Sequence, residues 1–221
     1  MGGTATATTT GPRLRADALR NRERILAAAR EAFVLYGTDA RLDEIARRAG
    51  VGNATLYRHF PDREALLIAV LLDVNHRIID DAHAALEADS DPFEALHRLV
   101  LNAAGERVGG LCPMLGGDVD PGDPQLVASN ARMHEIVQRL VDRAHASGQL
   151  RPDADSGDIL VGVARLTSPV PGTDQDDEML LLRHLQIFVD GLRAPAPGTL
   201  PGESRSLADL KEGICRSSRR H

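Results

Sequence analysis

From Asp17 onward, apolar residues recur at helical spacing: Ile25, Ala28, Ala29, Ala32 and Phe33 share one face, with Arg and Glu between them. Gly37 ends this first predicted helix. A second, short helix is predicted over residues 42–49, closed by Gly50 where glycine accepts a left-handed backbone. A third follows over residues 53–60. Pro61 stands near the start of a longer helix over about 62–88, where a missing N–H costs little. Asp89, Ser90, Asp91 and Pro92 mark a break and a new start, with an amphipathic helix running to about Val108. Residues 109–124 hold five glycines and three prolines, which predicts a loop. Periodicity returns over residues 125–147, in Val127, Met133, Ile136, Val137, Leu140 and Val141, and Gly148 stops it. Residues 158–167 and 178–193 are the last two predicted helices, separated by a stretch containing Pro169 and Pro171. No segment alternates as a strand does, so the predicted fold class is all-α with about nine helices.

The ends of the chain lack this periodicity. Residues 2–11 are Thr, Ala and Gly, and residues 1–15 are expected to form a disordered tail. After Leu192 comes Ala194-Pro195-Ala196-Pro197-Gly198, and residues 195–221 are expected to be a disordered Pro/Gly-rich and basic tail. Between them the pattern divides into a three-helix module over residues 16–61 and a larger helical body over 62–194.

Charge sharpens that division. The chain carries a net −6, but residues 13–70 hold 11 Arg and 8 acidic residues, a net +3, whereas residues 71–200 hold 10 Arg and 21 acidic residues, a net −11. A basic front on an acidic body suits a module that meets phosphates. The two cysteines, Cys112 and Cys215, match no metal or redox spacing and point to a reducing compartment, the cytoplasm. No stretch approaches the about 18 apolar residues of a membrane span, and the first residues lack the pattern of a signal peptide.

Two short helices joined at a glycine have the geometry of a helix-turn-helix, whose second helix enters the major groove of DNA. Ile25, Ala29, Phe33, Ile45, Ala46, Ala49, Val51, Leu56 and Phe60 supply the apolar faces that such short helices need to be stable. Asn53, Ala54, Thr55, Tyr57, Arg58 and His59 are not required for that core and are expected to face DNA. The hydroxyls of Thr55 and Tyr57 and the ring of His59 suit phosphates; Asn53 and Arg58 have donors that suit base edges. Arg41 and Arg47 are further candidate contacts.

The run R-E-R-I-L-A-A-A-R-E-A-F-V-L-Y-G at residues 22–37, followed by L-D-E-I-A-R-R-A-G-V-G-N-A-T-L-Y-R-H-F-P-D-R-E-A-L at 42–66, resembles the signature of the tetracycline-repressor (TetR) family of transcriptional regulators. The resemblance implies that Tyr57 and His59 contact phosphates and that Arg63 meets the DNA backbone. Gly52 stands where the family often has serine, Asn53 where it often has lysine, and Leu42 in a region that usually carries a threonine cap.

Beyond about Leu71 the resemblance lies in helix order and charge. It implies a homodimer on double-stranded operator DNA, with the last two helices at the subunit interface. Leu181, Leu185, Phe188, Val189 and Leu192 form an apolar stripe that is either interface or intramolecular core. It also implies a repressor released by a small-molecule effector bound among the middle helices. Candidate lining residues are Leu101, Met114, Leu115, Met133, Val137 and Arg165, for each of which ordinary core packing is the alternative. A regulator that activates, or that has no small-molecule inducer, is the competing reading.

Metal and catalytic chemistry find little support. Asp118, Asp120 and Asp123 suggest a calcium loop, but Pro121 and Pro124 interrupt it and the closing glutamate is missing. His76, Asp80, His83, His134 and His184 read as solvated side chains before they read as ligands. No nucleophile–base pair or carboxylate cluster appears, and no cofactor or metal is expected.

Overall fold

A computed structural model describes residues 10–88, 91–111, 119–120, 122–168 and 178–207. Among these there are nine α-helices: α1 (Thr10–Tyr36), α2 (Leu42–Arg48), α3 (Asn53–His59), α4 (Arg63–Glu87), α5 (Pro92–Gly105), α6 (Val108–Leu111, a single turn), α7 (Pro124–Ala146), α8 (Ser156–Leu166) and α9 (Glu178–Gly191). A 3₁₀ turn, Gly37–Asp39, follows α1. The described residues contain no strand, only one isolated bridge pairing Leu150 with Arg193. The chain divides into two compact units, Met1–Val70 and Leu71–His221, so the boundary falls inside α4 and not at residue 61.

In the first unit, α1 buries Ile25, Leu26, Ala28, Ala29, Ala32 and Phe33. Ile45 and Ala46 of α2, Leu56 of α3, Phe60, and Leu66, Leu67 and Val70 of α4 complete its core. Each large side chain so buried stabilises the unit by roughly 1.5–3 kcal/mol relative to exposure. α1 begins at Thr10, inside the segment expected to be disordered. Arg, Leu and Ala over residues 13–20 propagate a helix readily once it is nucleated. Pro12 lies in the first turn, where no N–H would find an intrahelical partner.

The second unit has its own core. Phe93, Leu96 and Val100 of α5 meet Val141 and Ala144 of α7, Ile159 and Val163 of α8, and Leu185, Val189 and Leu192 around α9. Its helix starts carry side-chain caps. Asp91 accepts from the Phe93 and Glu94 N–H groups, Asp123 from Gln125 and Leu126, and Asp155 and Asp158 form a reciprocal capping box on α8.

Leu185, Val189 and Leu192 are therefore intramolecular core. Leu181 and Phe188 are partly buried against the same core, so the stripe is not a free interface face. The period of α9 was readable, but which of its two apolar faces turns inward was decided by α5 and α8. Other positions of α9 leave apolar side chains exposed, with Met179 at 74%, Ile187 at 60%, and Leu180 and Leu182 also accessible, as is Val161 of α8.

The segment after α9 is also ordered as far as Leu207, against the expectation of a disordered tail. Arg151 donates to the Gly198 carbonyl at 2.7 Å, and the Leu200 N–H donates to Asp153 Oδ2 at 2.7 Å. The Gly157 N–H donates to the Arg205 carbonyl at 2.9 Å, and the Leu207 N–H to Ser156 Oγ at 3.1 Å. Composition alone suggested disorder because Pro and Gly suppress periodicity, whereas a strap needs only partners for its backbone groups.

The Arg151 guanidinium, then the Leu200 N–H, hold the Asp153 carboxyl well below the usual carboxylate range. A depressed folded value means that this contribution is complete above the unfolded value, about 3.9, and is lost as pH falls through the depressed one. Protection of the Leu200 amide, corrected for intrinsic exchange, is expected to be constant from pH 7 to 5 and to fall below about pH 4. Loss between pH 7 and 5 would assign the latch to a group other than Asp153.

Candidate nucleic-acid interface

The turn between α2 and α3 is closed by two reversed hydrogen bonds. The Val51 N–H donates to the Ala46 carbonyl at 3.0 Å and the Gly50 N–H to the Arg47 carbonyl at 3.1 Å, around Gly50 at φ +63°. Arg24 of α1 donates to the Gly50 carbonyl at 2.9 Å. A Cβ on Gly50 would meet the end of the Arg24 side chain, which would have to shift, while the left-handed backbone itself disfavours any side chain there. Gly52 and Arg41, which precede α3 and α2, provide no side-chain cap.

α3 is anchored by Leu56, which is fully buried, and its remaining surface is open. Asn53, Ala54 and Arg58 are exposed, Tyr57 is 51% exposed, and Thr55 and His59 are half-buried. Arg58 folds back on its own helix, donating to Thr55 Oγ1 at 2.9 Å and to the Ala54 carbonyl at 3.2 Å. A base contact by Arg58 therefore requires both bonds to be exchanged. The His59 ring lies 6.2 Å from the buried Phe60 ring, over which Arg22 also stacks at 4.7 Å.

The other basic candidates are held by neighbours. Arg41 pairs with Asp43 at 3.0 Å and Arg47 with Glu44 at 2.7 Å, both on the exposed surface of α2. Arg47 first, then Arg48, lowers the Glu44 carboxyl from its ordinary value, and Arg41 does the same for Asp43. Exposed pairs of this kind stabilise little and exchange readily for a phosphate.

Arg63 is placed differently. Its guanidinium donates to the carbonyls of Ala40 and Gly37, the latter at 3.1 Å, and lies 5.1 Å over the Phe33 ring. It ties the start of α4 to the 3₁₀ turn, a role that spacing did not reveal because its acceptors are backbone oxygens 23 and 26 residues away. Arg24 was likewise missed; its acceptor also lies on the backbone.

The effector candidates divide as well. Met133 and Val137 line a small apolar cavity in the second unit, with Ile78 of α4, Leu99 of α5 and Ile159 of α8. Leu101 packs against the core, and Arg165 is exposed on α8. Met114 and Leu115 lie outside the described residues, as do Asp118, Pro121 and both cysteines. On the other side of α7 an open groove of about 830 Å³ separates it from α4, with His76, Asp80, His83, Arg132, Glu135 and Arg139 on its walls. His76 stands 3.4 Å from Asp80 and both are exposed. Among the described residues no three His, Cys, Asp or Glu side chains converge as metal ligands, and no helix is long and apolar enough to cross a membrane.

Comparison with known proteins agrees with this geometry. Residues 25–70 match the family model for bacterial regulatory proteins of the tetR family, and residues 91–194 match the SbtR-like transcriptional regulator C-terminal domain. The second match ends within the first residues of the strap. A TetR transcriptional regulator from Streptomyces coelicolor is 34% identical, the alignment covering 79% of this chain and 99% of that one, with a TM-score of 0.59. A TetR transcription regulatory protein from Mycobacterium vanbaalenii is also 34% identical, over 82% of this chain and 99% of that one, with a TM-score of 0.57. The HTH-type transcriptional regulator TtgW of Pseudomonas putida is 47% identical over 62 residues, 28% of this chain and 46% of that protein. The match thus spans less than half the length of that relative. The fold, the exposed second helix of the hairpin and the likeness over about four fifths of the chain lead to one conclusion: the chain belongs to the TetR family of transcriptional regulators, and its first unit is a DNA-binding helix-turn-helix.

Proposed function

We propose that the chain is a homodimeric repressor that grips operator DNA through α3 of each protomer and releases it when a small molecule occupies the second unit. The observation that carries the DNA reading is α3 itself. One residue, Leu56, is fully buried, while Asn53, Ala54, Tyr57 and Arg58 are presented to solvent. In this reading Tyr57, Thr55 and His59, with Arg41 and Arg47, meet phosphates, and Asn53 and Arg58 meet bases. Arg63 supports the interface from behind by fixing the start of α4.

Dimerisation is supported by the exposed apolar face of Val161, Met179, Leu180, Leu182 and Ile187. Exposed large apolar side chains of this kind suit an association site, and a two-fold dimer sets two recognition helices about one DNA turn apart. Effector binding is assigned to the cavity lined by Met133 and Val137. Its walls are aliphatic, in keeping with a chain that has no Trp and only four Phe and two Tyr.

Binding to the DNA upstream of the chain's own gene, compared with scrambled DNA at two salt concentrations, tests the assignment. Arg47→Ala is expected to lower the slope of log K against log salt by about 0.9 for each phosphate that is no longer neutralised. Tyr57→Phe weakens matched and scrambled DNA alike. Arg58→Ala changes sequence preference, by about 1–3 kcal/mol at the base pair it reads. Unaltered binding in all three variants would remove α3 and α2 from the interface.

A further inference from the structure

We infer that the apolar cavity of the second unit is a binding site for a short aliphatic group, and that the chain's own Leu207 fills its mouth until such a ligand displaces it. The inference rests on the effector reading of the same cavity and adds how access to it is controlled.

The cavity lies among α4, α5, α7 and α8, and Leu207 is one of its lining residues. All its lining side chains are aliphatic or, at Met133, thioether, so nothing there can satisfy a charge or a hydrogen-bonding group. With Leu207 in place its volume is about 40 Å³. That is room for no more than a small cluster of atoms, whereas small-molecule sites have roughly 300 Å³ or more. Occupation therefore requires a lining element to leave.

The strap is the element built to leave. From Arg193 to Ser206 no side chain is buried, while Leu207 is only 3% exposed. The whole strap thus has one apolar anchor among the described residues, and that anchor sits in the cavity. Beyond Pro197 its attachments include hydrogen bonds to the Gly157 N–H, Ser156 Oγ, Asp153 and Arg151. α8 is notched to receive it: a Cβ on Gly157 would stand 2.3 Å from the Arg205 carbonyl oxygen. A ligand carrying a branched alkyl end replaces the leucine side chain in kind, and only a solvated segment has to move. Withdrawing a core helix would instead uncover many apolar residues together.

The test uses the full chain with ¹³C-methyl methionine and 3-methyl-1-butanol, whose alkyl end copies a leucine side chain. A saturable shift of the Met133 methyl resonance is expected, with at least tenfold faster amide exchange at Leu200 and Leu207 at saturation. In Leu207→Ala the midpoint of the Met133 shift is expected about tenfold lower. Gly157→Ala, which pushes the strap off α8 without touching the lining, lowers it in the same direction. An unshifted Met133 overturns the inference, as does a shift that leaves the strap amides protected or midpoints unchanged in both variants. No DNA is present, so such a failure leaves the operator reading standing, and a failure of operator binding leaves this one standing.

Discussion

Ile187→Glu is expected to convert the proposed dimer into monomers and to weaken operator binding by about 100-fold or more. Ile187 is 60% exposed on the outer face of α9, with Met179 and Leu182 on the same helix and Val161 on α8. The two helices pack closely. A Cβ on Gly162 would lie 2.3 Å from the Phe188 ring, so the glycine lets α8 and α9 approach. A carboxylate in the middle of that surface is buried without a partner when two copies meet, and burial of an unpaired charge is prohibitive. It costs the monomer almost nothing, since the position is open. The loss in DNA affinity follows from valency: two linked half-site contacts exceed one by roughly 10²–10⁴. Sedimentation velocity gives the oligomeric state and titration of labelled operator the affinity. A dimer that persists at micromolar concentration would place the interface elsewhere.

The second large effect is at the turn of the helix-turn-helix. Gly50→Ala is expected to destabilise the first unit by about 2–3 kcal/mol. A left-handed backbone costs a non-glycine residue about 1–2 kcal/mol, and Gly50 has φ +63°. The new methyl also forces the Arg24 guanidinium to shift, which weakens its hydrogen bond to the Gly50 carbonyl; such bonds contribute about 0.5–1.5 kcal/mol. A unit of this size has a stability of only about 0.05–0.15 kcal/mol per residue, so the change removes a large share of it. The first melting transition should fall by roughly 10 °C, and operator binding at 37 °C should fall with it. Adding Arg24→Ala to Gly50→Ala removes the collision but not the backbone penalty, so partial recovery is the expected signature. A variant that melts with the parent would show that neither constraint operates.

The helices were legible wherever a single face carried the signal. α2, α3 and the start of α5 sit where glycine, Asp91 and the apolar period put them, because capping and periodicity act over one or two turns. What composition hid were interactions across distance. The sequence suggests Arg63 as a phosphate contact but leaves unseen the bonds its guanidinium makes to Gly37 and Ala40, far behind it in sequence. Leu185, Val189 and Leu192 read equally well as interface or core, since α9 is apolar on two faces. Leu207 reads as part of a tail because its neighbours are Pro, Gly and Ser, whereas its partners are on α8. In the recognition helix, exposure was legible but the present engagement of Arg58 with Thr55 was not, since a rotamer leaves no mark on the pattern.

One end of the second unit is knotted. The Arg151 N–H donates to the Leu192 carbonyl at 2.9 Å, the Ala194 N–H to the Gln149 carbonyl at 2.8 Å, and the Gln149 side chain reaches Asp91 and the Phe93 N–H. Arg193 pairs with Glu94 and lies 4.2 Å over the Phe93 ring. The start of α5 and the ends of α7 and α9 are thereby fixed to one another. A rotation of α9 at this end is carried along its length. Over the 14 residues of α9, about 21 Å at 1.5 Å per residue, a small rotation at the knot becomes the largest displacement at Met179. The same leverage makes the outer end of the exposed face the most sensitive gauge of what happens inside.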